Sequence, residues 1–160
     1  MRTFIVPLIA LIAAACGAPH TETPPAPAQG AAAAASLQVH DAWAAPTPGG
    51  VEVSSGYLTI VNGANADDRL TGASSPRAAR IEVHEMTMDG AVMRMRAIEG
   101  GLVVPSHAAV SLSPGGMHLM FYGVSQPFTE GDSIPLTLTF EHAGDVAVTL
   151  PVRREGPHAH

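Results

Sequence analysis

The sequence has 160 residues, 14% of them charged, and its formal net charge is −6. This length allows one domain with a core of ordinary size. The chain contains no lysine, so it lacks the clustered basic residues that nucleic-acid-binding proteins need.

Residues 1–16 predict export. Arg2 precedes an apolar run over residues 4–15 that is too short to span a bilayer and has the length of a signal-peptide core. The run ends in AAAC and resembles a bacterial lipoprotein signal, which is cleaved before a lipidated cysteine. We therefore predict a signal peptide over 1–15, lipidation of Cys16, and a periplasmic or cell-surface protein held to the membrane by its lipid. Plain secretion with cleavage nearby is the alternative.

A low-complexity segment separates this anchor from the folded domain. Residues 16–36 are rich in Pro and Ala and offer almost nothing to bury, which predicts a tether. The folded domain is expected over 37–153. Residues 154–160 end in HAH and are expected to form a flexible tail, although an HxH sequence can also bind Cu(II) or Zn(II) weakly.

The domain reads as a succession of short strands separated by turn sequences such as NGANADD, MDG and SPGG. No stretch keeps a helical period over twelve residues. Strands at this spacing predict an all-β fold, an antiparallel sandwich or barrel. The clearest strand segments are GYLTIVN (56–62), RIEVHEM (80–86), AVSLS (109–113), HLMFYGV (118–124), IPLTLTF (134–140) and VAVTLPV (146–152).

Methionine is concentrated in one part of the chain. Apart from the initiator, all six methionines lie between Met86 and Met120. Alternate side chains of a strand share a face. Three strands therefore each place His or Met side chains on one face: His84 with Met86 and Met88, Met93 with Met95, and His118 with Met120.

This combination of imidazole and thioether groups predicts a site for a soft metal ion. Thioether sulfur is soft and neutral and selects Cu(I), and it avoids the ready oxidation of thiolates outside the cytoplasm. The alternative interpretation is that the methionines fill irregular gaps in the core. Met88, near a turn, and Met117, which faces away from His118, are expected to be packing or surface residues.

The spacing of these residues resembles the motif of the periplasmic copper chaperones called PCuAC. The pattern is His84, ten residues, Met95, twenty-two residues, then His118-x-Met120. Stretches that match this family in the same order extend over essentially all of 37–153: DAWAAPTP, GYLTIVNGANADDRLTGASSP, HEMTMDGAVMRMR, EGGLVVP, LSPGGMHLMFYG and PLTLTFE.

The resemblance implies a cupredoxin-like Greek-key β-sandwich with one exposed Cu(I) site. It also implies delivery of copper to the copper-A centre of cytochrome c oxidase. Auxiliary roles stay open for Met86, Met93 and Met117; the family commonly has an aromatic residue at the last of these positions. Carried over by position, the ligands would be His84, Met95, His118 and Met120.

The predicted function is therefore that of a Cu(I) chaperone, which makes or breaks no bond in a substrate and is not an enzyme. A blue-copper electron carrier would need a cysteine ligand, and the only cysteine lies at the signal cleavage site. Two rivals stay open: a copper-buffering or resistance protein without a specific acceptor, and a structural surface lipoprotein. We expect a monomer whose partner is a copper-A oxidase subunit or another copper-trafficking protein.

Overall fold

The computed structural model describes residues 36–49 and 51–154. The predicted signal peptide, the tether apart from Ser36 and the tail apart from Arg154 lie outside the described residues. Within these ranges no helix has the length and apolar character needed to cross a membrane. The described residues form ten strands: β1 Leu37–Ala44, β2 Val53–Asn62, β3 Asp68–Ser74, β4 Ala78–Asp89, β5 Val92–Ala97, β6 Leu102–Val104, β7 Ala108–Leu112, β8 His118–Val124, β9 Ser133–Phe140 and β10 Gly144–Pro151.

The strands form two sheets that pack face to face. The larger sheet has the order β1-β2-β8-β4-β5, with β7 also pairing with β2, and the smaller sheet has the order β10-β9-β3-β6. Every ladder between these strands is antiparallel. The prediction of an all-β antiparallel fold is confirmed. β8 and β4 lie inside the larger sheet, and β5 forms one of its edges.

The hydrophobic core lies between the sheets because the inward side chains of their strands are apolar. In β8, Leu119 and Phe121 are fully buried in this core. Since successive side chains of a strand point to opposite faces, His118, Met120 and Tyr122 point to the outer face of the larger sheet. The fold thus places the predicted ligands of β8 on the side of the sheet that faces away from the core.

A tight turn fixes where β8 begins. The backbone N–H of Gly116 donates to the carbonyl oxygen of Ser113 at 3.0 Å, and Gly115 has φ +81°. This geometry fits a type II turn, in which the third residue needs a positive φ. The turn predicted in SPGG is therefore confirmed, and β8 starts at His118 as expected.

The β4–β5 hairpin extends beyond the strand next to it. The ladder between β4 and β8 ends at the pair His84–His118, and one further bond joins the Met86 N–H to the Gly116 carbonyl at 3.3 Å. Beyond that point β4 pairs only with β5, through a two-residue loop whose first residue, Gly90, has the positive φ of a type II′ turn. We call residues 86–95 the arm.

One predicted turn is in part a strand. The NGANADD sequence was expected to be a turn throughout, but Asp68 is buried and begins β3. Its carboxylate accepts backbone N–H groups from Arg69 at 2.7 Å, His142 at 3.0 Å and Ala143 at 2.9 Å. A buried carboxylate is tolerated there because its oxygens are satisfied by hydrogen bonds.

Candidate metal centre

The two predicted histidine ligands lie side by side on the outer face of the larger sheet. His84 of β4 and His118 of β8 are directly paired in the ladder, and their ring centroids are 5.8 Å apart. The row continues through Tyr57, 6.4 Å from His118, to Trp43, 4.5 Å from Tyr57. These aromatic rings help to bury imidazoles that would otherwise face solvent.

The hydrogen bonds of His84 leave one ring nitrogen free. His84 is 7% exposed, and its Nε2 lies 3.0 Å from a carboxylate oxygen of Glu82. That hydrogen bond is the main reason why the pKa of Glu82 lies below its usual value. An ionised carboxylate can only accept, so Nε2 carries the proton. The other nitrogen, Nδ1, is buried without a hydrogen-bond partner and presents a lone pair.

His118 is arranged in the opposite sense. It is 4% exposed, and its Nδ1 lies 3.3 Å from the carbonyl oxygen of Gly116. A carbonyl only accepts, so Nδ1 donates and the lone pair lies on Nε2. Burial lowers the pKa of His118, and the smaller effect of the Gly116 bond raises it. The ring is therefore neutral near neutral pH, which is the form that binds metal ions.

The predicted sulfur ligands flank the histidines on two sides. Met120 is half-buried, follows His118 by two residues on the same face, and has its sulfur 4.0 Å from the Ser55 hydroxyl. Met95 is 49% exposed and is paired with Met86. This pair forms the next row of side chains on the same face, two residues along β4 from His84. The structure therefore brings the two rings together with Met120 beside them, whereas Met95 lies one row away, on the arm.

Most methionines are outside the hydrophobic core. Met88 and Met93 are exposed, and Met86 is half-buried without packing against the core cluster. Met117 does pack against that cluster, as expected for a side chain that faces away from His118. The core-filling interpretation therefore applies to Met117 and fails for the methionines of the arm.

Several residues around the histidines were missed by the sequence analysis. Glu82 orients His84, and the Tyr122 hydroxyl lies 3.3 Å from the same ring nitrogen. Arg80 stacks over the Tyr122 ring at 4.5 Å and pairs with Glu82 at 3.2 Å. The period-two rule could have found all three, because Arg80 and Glu82 lie four and two residues before His84 on the same face of β4, and Tyr122 lies two residues after Met120 on the same face of β8.

A metal site made only of imidazole, thiolate and carboxylate groups does not fit this arrangement. In the part of the chain that the structure describes, no three His, Cys, Asp or Glu side chains lie where they could hold a metal ion together.

The family of the chain follows from its sequence. A family model described as "Putative lipoprotein LpqE-like" matches residues 37–152. The chain belongs to the LpqE-like family. One relative of this LpqE-like protein, "Putative lipoprotein Lxx21020" of Leifsonia xyli subsp. xyli (strain CTCB07), is 27% identical over 117 residues, which are 73% of this chain and 69% of the relative.

Solved structures share the fold of this LpqE-like protein. A copper-bound PCuAC domain from PmoF2 matches with a TM-score of 0.64 and 25% identity, over 75% of this chain and 94% of that domain. The Cu(I) form of DR1885 from Deinococcus radiodurans matches with a TM-score of 0.55 and 25% identity, over 86% of this chain and 95% of that one. The predicted cupredoxin-like fold and the resemblance to PCuAC proteins are confirmed.

Proposed function

We propose that this protein is an exported Cu(I) chaperone that holds one Cu(I) with His84, Met95, His118 and Met120. The observation that carries the proposal is the pair of buried imidazoles whose hydrogen bonds leave one lone pair on each ring. Copper-bound PCuAC domains with the same fold support copper as the cargo. The thioethers beside the rings favour the monovalent ion because they are soft, neutral ligands.

The ligand set suits an ion that must be released. Two imidazoles and two thioethers are all neutral, so the bound complex would keep the single positive charge of Cu(I). Met95 is half-exposed on the arm, where an incoming ligand can replace it. Cysteine thiolates bind Cu(I) more strongly than thioethers, so transfer to a thiolate-containing acceptor is favourable. The copper-A centre of cytochrome c oxidase is the acceptor that the PCuAC resemblance implies.

The proposed location agrees with the family. An exported protein with a lipidated Cys16 would carry its copper site on the tether of residues 16–36, close to the membrane that holds the acceptor. The lipoprotein description of the LpqE-like family supports export and anchoring. No step in this role makes or breaks a bond in a substrate, so we assign no enzymatic activity.

The binding site is tested by anaerobic Cu(I) titration against a chromogenic Cu(I) chelator. The full chain with Cys16→Ser is used in mild detergent, so that no thiol competes. We expect one tight equivalent, which is lost in His118→Ala and strongly weakened in Met120→Ala. His107→Ala is the matched control, because His107 is exposed and its Nε2 is hydrogen-bonded to the Asn65 side-chain oxygen at 2.8 Å. Tight binding that survives in His118→Ala would refute the assigned site.

Delivery is separated from storage by a deletion in the host. A chaperone for the oxidase is required when copper is scarce, so deletion should lower oxidase activity in low copper, and added copper should restore it. A buffering protein would bind the same ion, yet its deletion would leave oxidase activity unchanged in low copper.

A further inference from the structure

The arm carries sulfur atoms that the proposed site does not use. Met88 and Met93 are 64% and 55% exposed and lie directly opposite each other in the β4–β5 ladder. Met86 is the next pairing position on the same face and faces Met95. Exposed methionines gain little from burial, so packing does not explain why they are concentrated on this hairpin.

The register brings the sulfurs within reach of one ion. Side chains directly opposite in an antiparallel pair have Cβ atoms about 4.5–5.5 Å apart, and diagonal neighbours are about 7–8 Å apart. Met88 and Met93 form a direct pair, and Met86 is the diagonal neighbour of Met93. The long, flexible methionine side chain can close these separations, so the three sulfurs can meet above the hairpin.

The chemistry of this group selects a soft cation. Its members are all neutral thioethers, the ligand type that prefers Cu(I) over hard ions. The carboxylate of Asp89, which is adjacent to Met88 in the chain, is engaged by the Arg94 guanidinium at 2.8 Å. Arg94 and Arg96 alternate with the methionines of β5, so their charges lie on the opposite face of the hairpin and leave the sulfur face uncharged.

We propose that Met86, Met88 and Met93 form a second, weaker Cu(I) site on the arm, from which the ion passes to the site at His84 and His118. The inference rests on the proposed function, because it gives that site a route for loading. Met95 links the two sites, since it is paired with Met86 and also belongs to the proposed ligands of the histidine site. Three thioethers, of which Met88 and Met93 are exposed and Met86 is half-buried, bind and release Cu(I) more readily than a site with two buried imidazoles.

The test follows Cu(I), added anaerobically as its acetonitrile complex, by NMR of ¹³C-methyl-labelled methionine in the full chain with Cys16→Ser. We expect the first equivalent to shift the methyl signals of Met95 and Met120. The second equivalent should shift those of Met86, Met88 and Met93. If the signals of Met88 and Met93 stay unchanged while further equivalents are added, the arm site does not exist, although the histidine site would stand.

Matched variants separate sulfur chemistry from apolar contact. In Met88→Leu/Met93→Leu the arm keeps its apolar face but loses two sulfurs, so the second equivalent should disappear and the first should be unchanged. Met117→Leu, at the methionine that packs against the core, should keep both equivalents. A second equivalent that persists in Met88→Leu/Met93→Leu would overturn the inference and place that copper elsewhere.

A further variant distinguishes a failure of the arm site from a failure of the proposed histidine site. His84→Ala/His118→Ala removes the histidine site, so any Cu(I) that still shifts Met88 and Met93 is bound by the arm itself. If these signals shift in the double variant, the arm site is independent of the proposed chaperone ligands. If they shift in the parent chain but not in this variant, the arm has no site of its own and the inference is wrong.

Discussion

β8 and β9 are both interior strands of their sheets, but they use their outward faces differently. β9 buries Ile134, Leu136, Leu138 and Phe140 in the core, and the side chains between them are mostly exposed. β8 buries Leu119 and Phe121 in the same core, yet its outward residue His118 is buried as well. β9 is an ordinary half-buried strand, whereas β8 is buried on both sides at its beginning.

This difference between the strands indicates that a buried polar side chain on the outer face of a β-sandwich marks a candidate functional site. An outward polar side chain gains nothing from burial unless its polar atoms are satisfied. Around His118, β2 contributes the Tyr57 ring, β8 itself contributes the Tyr122 ring, and β4 places a second imidazole, His84, beside the first. The buried Nδ1 of His84 is still without a partner, which is the position where a ligand is expected.

The largest loss of stability is expected from a substitution on the inward side of β8. Leu119→Ala removes a fully buried side chain, and the cavity should lower the free energy of unfolding by about 2–5 kcal/mol. His118→Ala, at the neighbouring outward position, should cost less stability but abolish Cu(I) binding. Urea unfolding followed by circular dichroism measures both. Equal losses would mean that the outward face of β8 contributes packing of the same kind as the core.

A smaller effect is expected where β2 touches the same core. Gly56 is paired with Leu119, and a Cβ there would lie 2.7 Å from Phe121 Cε2 and 3.1 Å from Leu150 Cδ2. Gly56→Ala should therefore lower the free energy of unfolding by about 1–3 kcal/mol. Gly72→Ala is the control, because its Cβ would meet nothing within 4 Å. A neutral Gly56→Ala would show that β2 can move away from β8 at no cost.

On the outward face, the next test removes the carboxylate that orients His84. Glu82→Ala deletes the carboxylate at 3.0 Å from Nε2, so the ring can adopt the other tautomer and turn its lone pair away. Cu(I) affinity should fall about 10–100-fold, as is usual when a group that orients a metal ligand is lost. Glu85→Gln, on the opposite face of β4, should leave affinity unchanged. Chelator competition measures both variants.

The smallest effect expected is a pH dependence of the copper-free protein. Burial lowers the pKa of His118 below its ordinary value of 6.5, so between the two values the unfolded chain binds more protons than the folded one. The free energy of unfolding should therefore decrease as the pH falls below about 6.5. Urea unfolding is measured down to about pH 5, which is still above the pH range in which the Glu82 carboxylate titrates. In His118→Gln this part of the pH dependence should be absent.

The sequence predicted the strand that carries the site better than the strands around it. β8 was expected over 118–124 and has those bounds, because a type II turn fixes its start and its inward residues alternate. β6 was not predicted: Leu102–Val104 is too short to show a period, and it is a strand because it pairs with β3. Pairing between distant segments cannot be read from the segments themselves.

The geometry of the proposed site could be read from the sequence only in part, for the same reason. Spacing identified His84 and His118, and the ladder pairs them directly. Spacing could not show that the two rings donate through different nitrogens, because the acceptors are a side chain on β4 and a backbone carbonyl before β8. Nor could it show that Met95 lies one row away from the rings, since that depends on the register between β4 and β5.

The carbonyl oxygen of Gly116 serves two parts of the molecule at once. It accepts the ring N–H of His118 and the backbone N–H of Met86, each at 3.3 Å. If the base of the hairpin is pulled away from β8, the bond from Met86 lengthens and the shared oxygen is free to tilt away from the ring. A partner protein that binds the hairpin and displaces it from β8 would therefore also change the orientation of the His118 ring. Such a movement would weaken the binding of Cu(I) at the proposed site without any direct contact between the partner and the ion.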